Sequence, residues 1–179
     1  MRRLLAATVA VFLFASVVSA AATTINVTMT GQAEPFSNGT LGAGDLGASG
    51  NASYTFDPDA DTISWLVNYT GLQGTSLTGF HIHGPNATPT SINSVYRGFT
   101  INPGAVPPAG TLSGILTTAD DAALGGKIDT ILGNPSGFYV NIHTTVFPGG
   151  AIRAQLPEPA TLTLLACGAM GLMIRRRKI

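Results

Sequence analysis

Apolar and polar residues alternate along most of the middle of this chain. In "INVTMT" the residues Ile25, Val27 and Met29 share one face, and in "TISWLVNY" Ile63, Trp65, Val67 and Tyr69 do the same. "GFYVNIHT" repeats the pattern with Phe138, Val140 and Ile142, and "AIRAQL" with Ile152, Ala154 and Leu156. A period of two in β-branched and aromatic residues, punctuated by Gly and Pro, predicts antiparallel strands buried on one face. Several such strands in one domain predict an all-β sandwich or barrel. Two stretches break the pattern. "FSNGTLGAGDLGASGN" (36–51) reads as a mobile Gly-rich loop. "TTADDAALGGKIDTILGN" (117–134) puts Leu124, Ile128, Ile131 and Leu132 at helical spacing, which predicts one short helix over an end of the sandwich. Thr118 is the expected cap, with Asp120 and Asp121 in the first turn and Gly125-Gly126 weakening or splitting the helix.

The two ends follow other rules. Met1-Arg2-Arg3, an uncharged "LLAATVAVFLFASVV" and small residues after it form the basic, apolar and cleavage regions of a signal peptide, assigned to 1–22. At the other end Pro157, Glu158 and Pro159 precede an apolar run from Ala160 to Ile174, closed by Arg175, Arg176, Arg177 and Lys178. That run reads as a short transmembrane helix whose basic flank stays cytoplasmic. Triplet, span and basic tail, in that order, closely resemble the bacterial PEP-CTERM sorting signal. The resemblance implies an exported, envelope-associated or released protein of a Gram-negative, exopolysaccharide-making cell. It also implies two processing partners, signal peptidase and an exosortase-type enzyme.

Setting 1–22 and 157–179 aside changes the charge. The whole chain is neutral, but between residues 23 and 156 three bases (Arg97, Lys127, Arg153) face eight acids, a net −5. An acidic domain without a basic patch excludes nucleic acid as a partner. The single cysteine, Cys167, lies in the tail, so the exported domain has no disulfide.

Chemistry-bearing residues are few. "DPDAD" (57–61) lacks the glycine and the terminal glutamate of a calcium loop and reads as a hairpin turn. "FPGGAI" (147–152) reads as a turn between the last two strands, with no other role. The three histidines are the remaining candidates. His81 and His83 in "GFHIHGPNA" share a strand face opposite Phe80 and Ile82, and His143 in "YVNIHT" lies opposite Val140 and Ile142. They point outward or toward the mouth of the barrel. If their strands are neighbours, His81, His83 and His143 could converge as three neutral imidazoles with an open position, a set suited to Cu or Zn. Otherwise they hydrogen-bond to neighbouring loops and no cofactor is expected. No serine, cysteine or aspartate is placed for nucleophilic catalysis.

"SYTFDPDADTISWLVNYTGLQG", "FHIHGP" and "GFYVNIHTTVFPGGAIRAQL" together resemble the CHRD domain, over roughly residues 25–156. The family implies an immunoglobulin-like or superoxide-dismutase-like antiparallel β-sandwich or barrel, here with one short helical connection, and carries no established activity. Of a dismutase's copper ligands only His81 and His83 have counterparts, and the zinc ligands and disulfide are missing. The family's Pro-Gly-Gly-Glu-Ile-Arg-Gly-Gln strand also departs here, with Ala151 and Ala154 replacing Glu and Gly. The sequence therefore reads as a signal peptide (1–22), a CHRD domain (23–156) and a sorting tail (157–179). The domain is a non-enzymatic binding or structural module of the envelope or matrix, with polysaccharide or surface proteins as partners. The alternatives are a Cu/Zn protein built on the three histidines, or protein binding through a sheet edge or the 36–51 loop.

Overall fold

A computed structural model describes residues 20–102 and 104–158. The expected membrane span and basic tail, with Pro159, and nearly all of the signal peptide lie outside the described residues. Among the described residues, no helix is long and apolar enough to cross a membrane.

Eight strands form a single antiparallel sheet: β1 (Thr23–Thr30), β2 (Ser49–Asp57), β3 (Thr62–Thr70), β4 (Leu77–His83), β5 (Val95–Gly98), β6 (Gly110–Leu116), β7 (Tyr139–Thr144) and β8 (Ile152–Gln155). Their spatial order is β5-β4-β7-β8-β1-β2-β3-β6, curled into a half-barrel. The all-β architecture is as the alternation predicts. The inner face collects the expected residues, with Met29, Ile63, Val67, Ile82, Val140 and Ile152 all fully buried. Phe80 and Phe99 stack at 4.6 Å, and Trp65 meets Phe99 at 4.8 Å. Phe99 opens the connection from β5 to β6, the two edge strands, so this connection joins the sheet's two edges across its open side.

The helix differs from its expected form. α1 spans Leu124–Gly133 and begins after Ala123, with no side-chain cap, so Thr118 caps nothing and Asp120 and Asp121 precede the first turn. Both carboxylates serve turns of their own. Asp120 accepts from the Thr117 N–H and hydroxyl, and Asp121 accepts from the Ala123 N–H and from Lys127 Nζ. Such local bonds compete with helix continuation. Gly125 and Gly126 fall inside the first turn, and α1 runs unbroken through them. A β-carbon on Gly125 would lie 2.3 Å from Asp61 Oδ1, so the glycine permits helix and hairpin to touch. Leu124, Ile128 and Ile131 enter the core.

The 36–51 segment is also more ordered than its composition suggests. Its last three residues belong to β2. The rest is tied by Gly42 and Ala43 N–H bonds to the Glu34 carbonyl. Asp45, fully buried, accepts from the Gln73 backbone and side chain. One carboxylate replaces the apolar contacts this loop lacks.

The outer face has two halves. On β1, β2, β3 and β6 it is open and, apart from Asp57 at the end of β2, uncharged, with Thr24, Asn26, Thr28, Asn51, Ser53 and Asn68 turned outward. On β4, β7 and β8 it is covered by loops, and its side chains are buried or half-buried although they oppose the core.

Candidate metal centre

Strand pairing assembles the covered half. β7 lies between β4 and β8, and the register places His81 opposite Asn141, Asn141 opposite Arg153, and His83 opposite Tyr139. His143 faces Gly79, which has no side chain to occupy the space between the rings. A β-carbon there would fall 2.5 Å from His81 Cε1 and 3.1 Å from His143 Cδ2. The glycine of "GFHIH" thus lets the rings of His81 and His143 meet at 5.0 Å. His83 lies 5.5 Å from His81 and 6.0 Å from His143, ring to ring. One ligand atom from each of the three falls within 4.8 Å of the other two.

The histidines do face away from Phe80 and Ile82, but not toward solvent: His83 and His143 are buried and His81 is half-buried. Two of the rings are held by backbone carbonyls, which can only accept. His83 therefore donates from Nδ1 to Asn93 (2.7 Å), and His143 from Nδ1 to Pro148 (2.9 Å). Each neutral ring then carries its lone pair on Nε2. His83 Nε2 and His81 Nδ1 are buried with no partner. Asn141, 2.9 Å from His143 Nε2, must turn its NH₂ toward that nitrogen. Backbone carbonyls here do the orienting that carboxylates often do around metal-bound imidazoles.

The turn 147–152 is therefore more than a connection. Its Pro148 carbonyl fixes His143. Its Gly150, at φ +141°, leaves room for Glu34, since a β-carbon would lie 2.4 Å from the Glu34 carboxyl carbon.

Sequence reasoning missed the second layer. Arg153, 1 % exposed, stacks 3.3 Å from the centre of the Tyr139 ring, which in turn lies parallel to His83 at 4.7 Å. The guanidinium donates to the carbonyls of Ser91 (2.7 Å) and Thr88 (2.8 Å). Gln155 donates to those of Ala87 and Ser136. Two side chains of β8 thereby pin the loop that supplies the Asn93 carbonyl. The only available signal was that Arg153 sits on the outward register of a strand whose partner carries Tyr139 and Asn141. The edge of β6 is also guarded, because Asn102 bonds both the N–H and the carbonyl of Ser113.

Burial and the neighbouring rings push the His81 pKa down to about 4, and burial also lowers those of His83 and His143. Burial pushes Glu34 up to about 7, partly offset by Arg153 and Asn141. These shifts oppose each other. The unfolded chain takes up protons on histidine near pH 6.5 while the folded imidazoles stay neutral. Their contribution is complete above that pH and is lost as pH falls toward 4. Glu34 is protonated when folded well above its unfolded value of 4.5, so its contribution is complete below 4.5 and is lost as pH rises through about 7. Three imidazoles outweigh one carboxyl. The urea midpoint of the metal-free protein should fall as pH drops from 6.5 to 4, and Glu34→Gln should steepen the fall. A midpoint that rises across this window would refute the assignment.

Comparison with known families matches both the strand-forming region and the tail. The PEP-CTERM protein-sorting motif matches residues 155–178, at the extreme C-terminus. No curated protein and no solved structure matches the chain. The CHRD domain matches residues 21–156, which span every strand and all three histidines, and the chain belongs to the CHRD-domain family.

Proposed function

We propose that this exported protein, sorted through its C-terminal motif and processed by an exosortase-type enzyme, is a non-enzymatic module that binds one copper or zinc ion through His81, His83 and His143. The observation that carries this reading is the triad itself, with two buried nitrogens that have no partner on the protein. An unpaired buried polar atom is costly. A metal ion is the ligand that would satisfy two at once. In a tetrahedral site with metal–nitrogen bonds of about 2.0 Å, ligand nitrogens stand about 3.3 Å apart. Small rotations of the rings would bring the three atoms from within 4.8 Å to that spacing. An all-nitrogen donor set suits Zn²⁺ and Cu²⁺ and disfavours Ca²⁺ and Mg²⁺. The low pKa values keep the imidazoles neutral and ready to bind at ordinary pH. Among the described residues, the hydrogen-bond partners of the rings are the carbonyls of Asn93 and Pro148 and the Asn141 amide, groups that hold imidazoles in place, which supports a binding role.

The test is elemental analysis of the full chain, exported with its own leader and purified from the envelope without a histidine tag, before and after Cu²⁺ or Zn²⁺ challenge. About one ion per chain, with a melting temperature that rises on loading, is the expected result. A chain that takes up neither ion would refute the proposal.

A further inference from the structure

A second pocket lies beyond the Pro148 carbonyl, away from the three rings. It encloses about 290 Å³ and is lined by Glu34, Pro35, Ala43, Ile92, Phe147 and Val146, among others. That volume is at the small end of ligand sites. Its rim is apolar and open, with Ile92 64 % and Val146 53 % exposed. Glu34, in its wall, is 4 % exposed, and its Oε2 is buried without a hydrogen-bond partner. Arg153 is the cation whose charge reaches this carboxyl, but its guanidinium donors are directed at the carbonyls of Ser91 and Thr88 and at Gln155. No ion pair forms between the two.

A carboxyl in such a place is unsatisfied on one side, and burial of a polar group without a partner is expensive. The neighbouring backbone is built to admit it. Gly150 could not carry a side chain without striking the carboxyl, and Gly149 beside it faces open space. The pocket thus offers one acceptor in its wall and a hydrocarbon rim. A ligand that matches both has a hydrogen-bonding cation at one end and an apolar body behind it. The acidity of the domain, net −5 over residues 23–156, favours the approach of a cation.

We propose that this pocket binds a primary ammonium on a short alkyl chain, with Glu34 accepting from the ammonium and Ile92, Val146 and Phe147 packing on the chain. The site adjoins the metal centre through Asn141 and Pro148, which touch both, but it needs no bound metal. Free alkylamines and lysine side chains share this chemistry.

Calorimetric titration of the full chain, purified from the envelope and treated with chelator, distinguishes the sources. The probes are n-pentylammonium, Nα-acetyl-lysine amide and, as the uncharged control, 1-pentanol. The ammonium should bind at least about tenfold more tightly than the alcohol. Glu34→Gln should remove that preference, and Ile92→Ala should weaken binding several-fold by trimming the rim. Binding of the lysine derivative as well would assign the pocket to a side chain, and its failure would assign it to a free amine. Equal binding of ammonium and alcohol would overturn the proposal, as would a preference that survives Glu34→Gln. Because Ile92 is exposed, its variant remains informative even if Glu34→Gln fails to fold.

Discussion

Alanine at His83 or His143 should lower Cu²⁺ or Zn²⁺ affinity by about 100-fold or more, and alanine at His81 by about tenfold. The difference comes from how the rings are held. His83 and His143 are buried and fixed through Nδ1 by the carbonyls of Asn93 and Pro148, so their rings are oriented before any ion arrives, although Asn141 must release His143 Nε2. His81 is half-buried, and its Nδ1 has no partner. Its ring must be ordered on binding, and the lost rotamer freedom offsets part of the bond. Gly79→Ala isolates geometry from donor count. It leaves all three imidazoles in the chain but puts a β-carbon 2.5 Å from His81 Cε1, and should reproduce the His81→Ala loss. Titrations of the four variants, each checked for a metal-free melting temperature near that of the parent, give the ranking. Equal small losses at all three histidines, with no effect at Gly79, would mean that the ion binds elsewhere on the chain and that the triad is irrelevant to it.

The inner half of the molecule was legible in the sequence because one rule governs it. Wherever a strand has a single buried face, burial and period two coincide, and Ile63, Trp65, Val67 and Tyr69 could be assigned from spacing alone. The rule fails on β7, where all six residues are buried, because loops cover its outer face. His143 was correctly placed opposite Val140 and Ile142, but alternation carries no information about what covers its face. The covering loops are held by long-range bonds, such as Arg153 to Thr88 across 65 residues of chain, and no local pattern encodes them. The same limit applies to Glu34. It sits among glycines and a proline with no periodic signal, and its role depends on the backbone of Gly150 far along the chain. The helix start was misplaced for a local reason. Thr118 and the two aspartates are good capping residues, but Asp120 reaches back to Thr117 and Asp121 forward to Ala123, and these turns displace the first helical residue to Leu124. Convergence of the three histidines was expected only on the condition that β4 and β7 pair, and the register meets that condition.

Arg153→Ala should be among the most destabilising single substitutions in the domain, costing roughly 3–5 kcal/mol. The side chain is almost wholly buried, and three separate interactions end on it. Its plane stacks on Tyr139, worth about 2 kcal/mol when desolvated. Its donors satisfy the Ser91 carbonyl, which would be left unpaired, and reinforce the Thr88 carbonyl, which also accepts from the N–H and hydroxyl of Ser91. Its removal also opens a void beneath the 84–94 connection, which then rests on Gln155, on the bonds of Tyr139 and His83 to Asn93, on the Gly137 carbonyl and on local turns. Arg153→Lys should recover less than half of the loss. An ammonium keeps the charge but cannot lie flat on the ring while bonding two carbonyls at once. The melting temperature of Arg153→Ala should drop by about 10 °C or more. The effect should persist at high salt, because the contacts are screened from solvent. The Asn93 carbonyl that orients His83 belongs to the same connection, so the variant should also lose metal affinity at temperatures where it is still folded. A loss below about 1 kcal/mol would show that the connection holds itself in place without the guanidinium. Full recovery by lysine would show that charge alone, and not the planar fork, secures it.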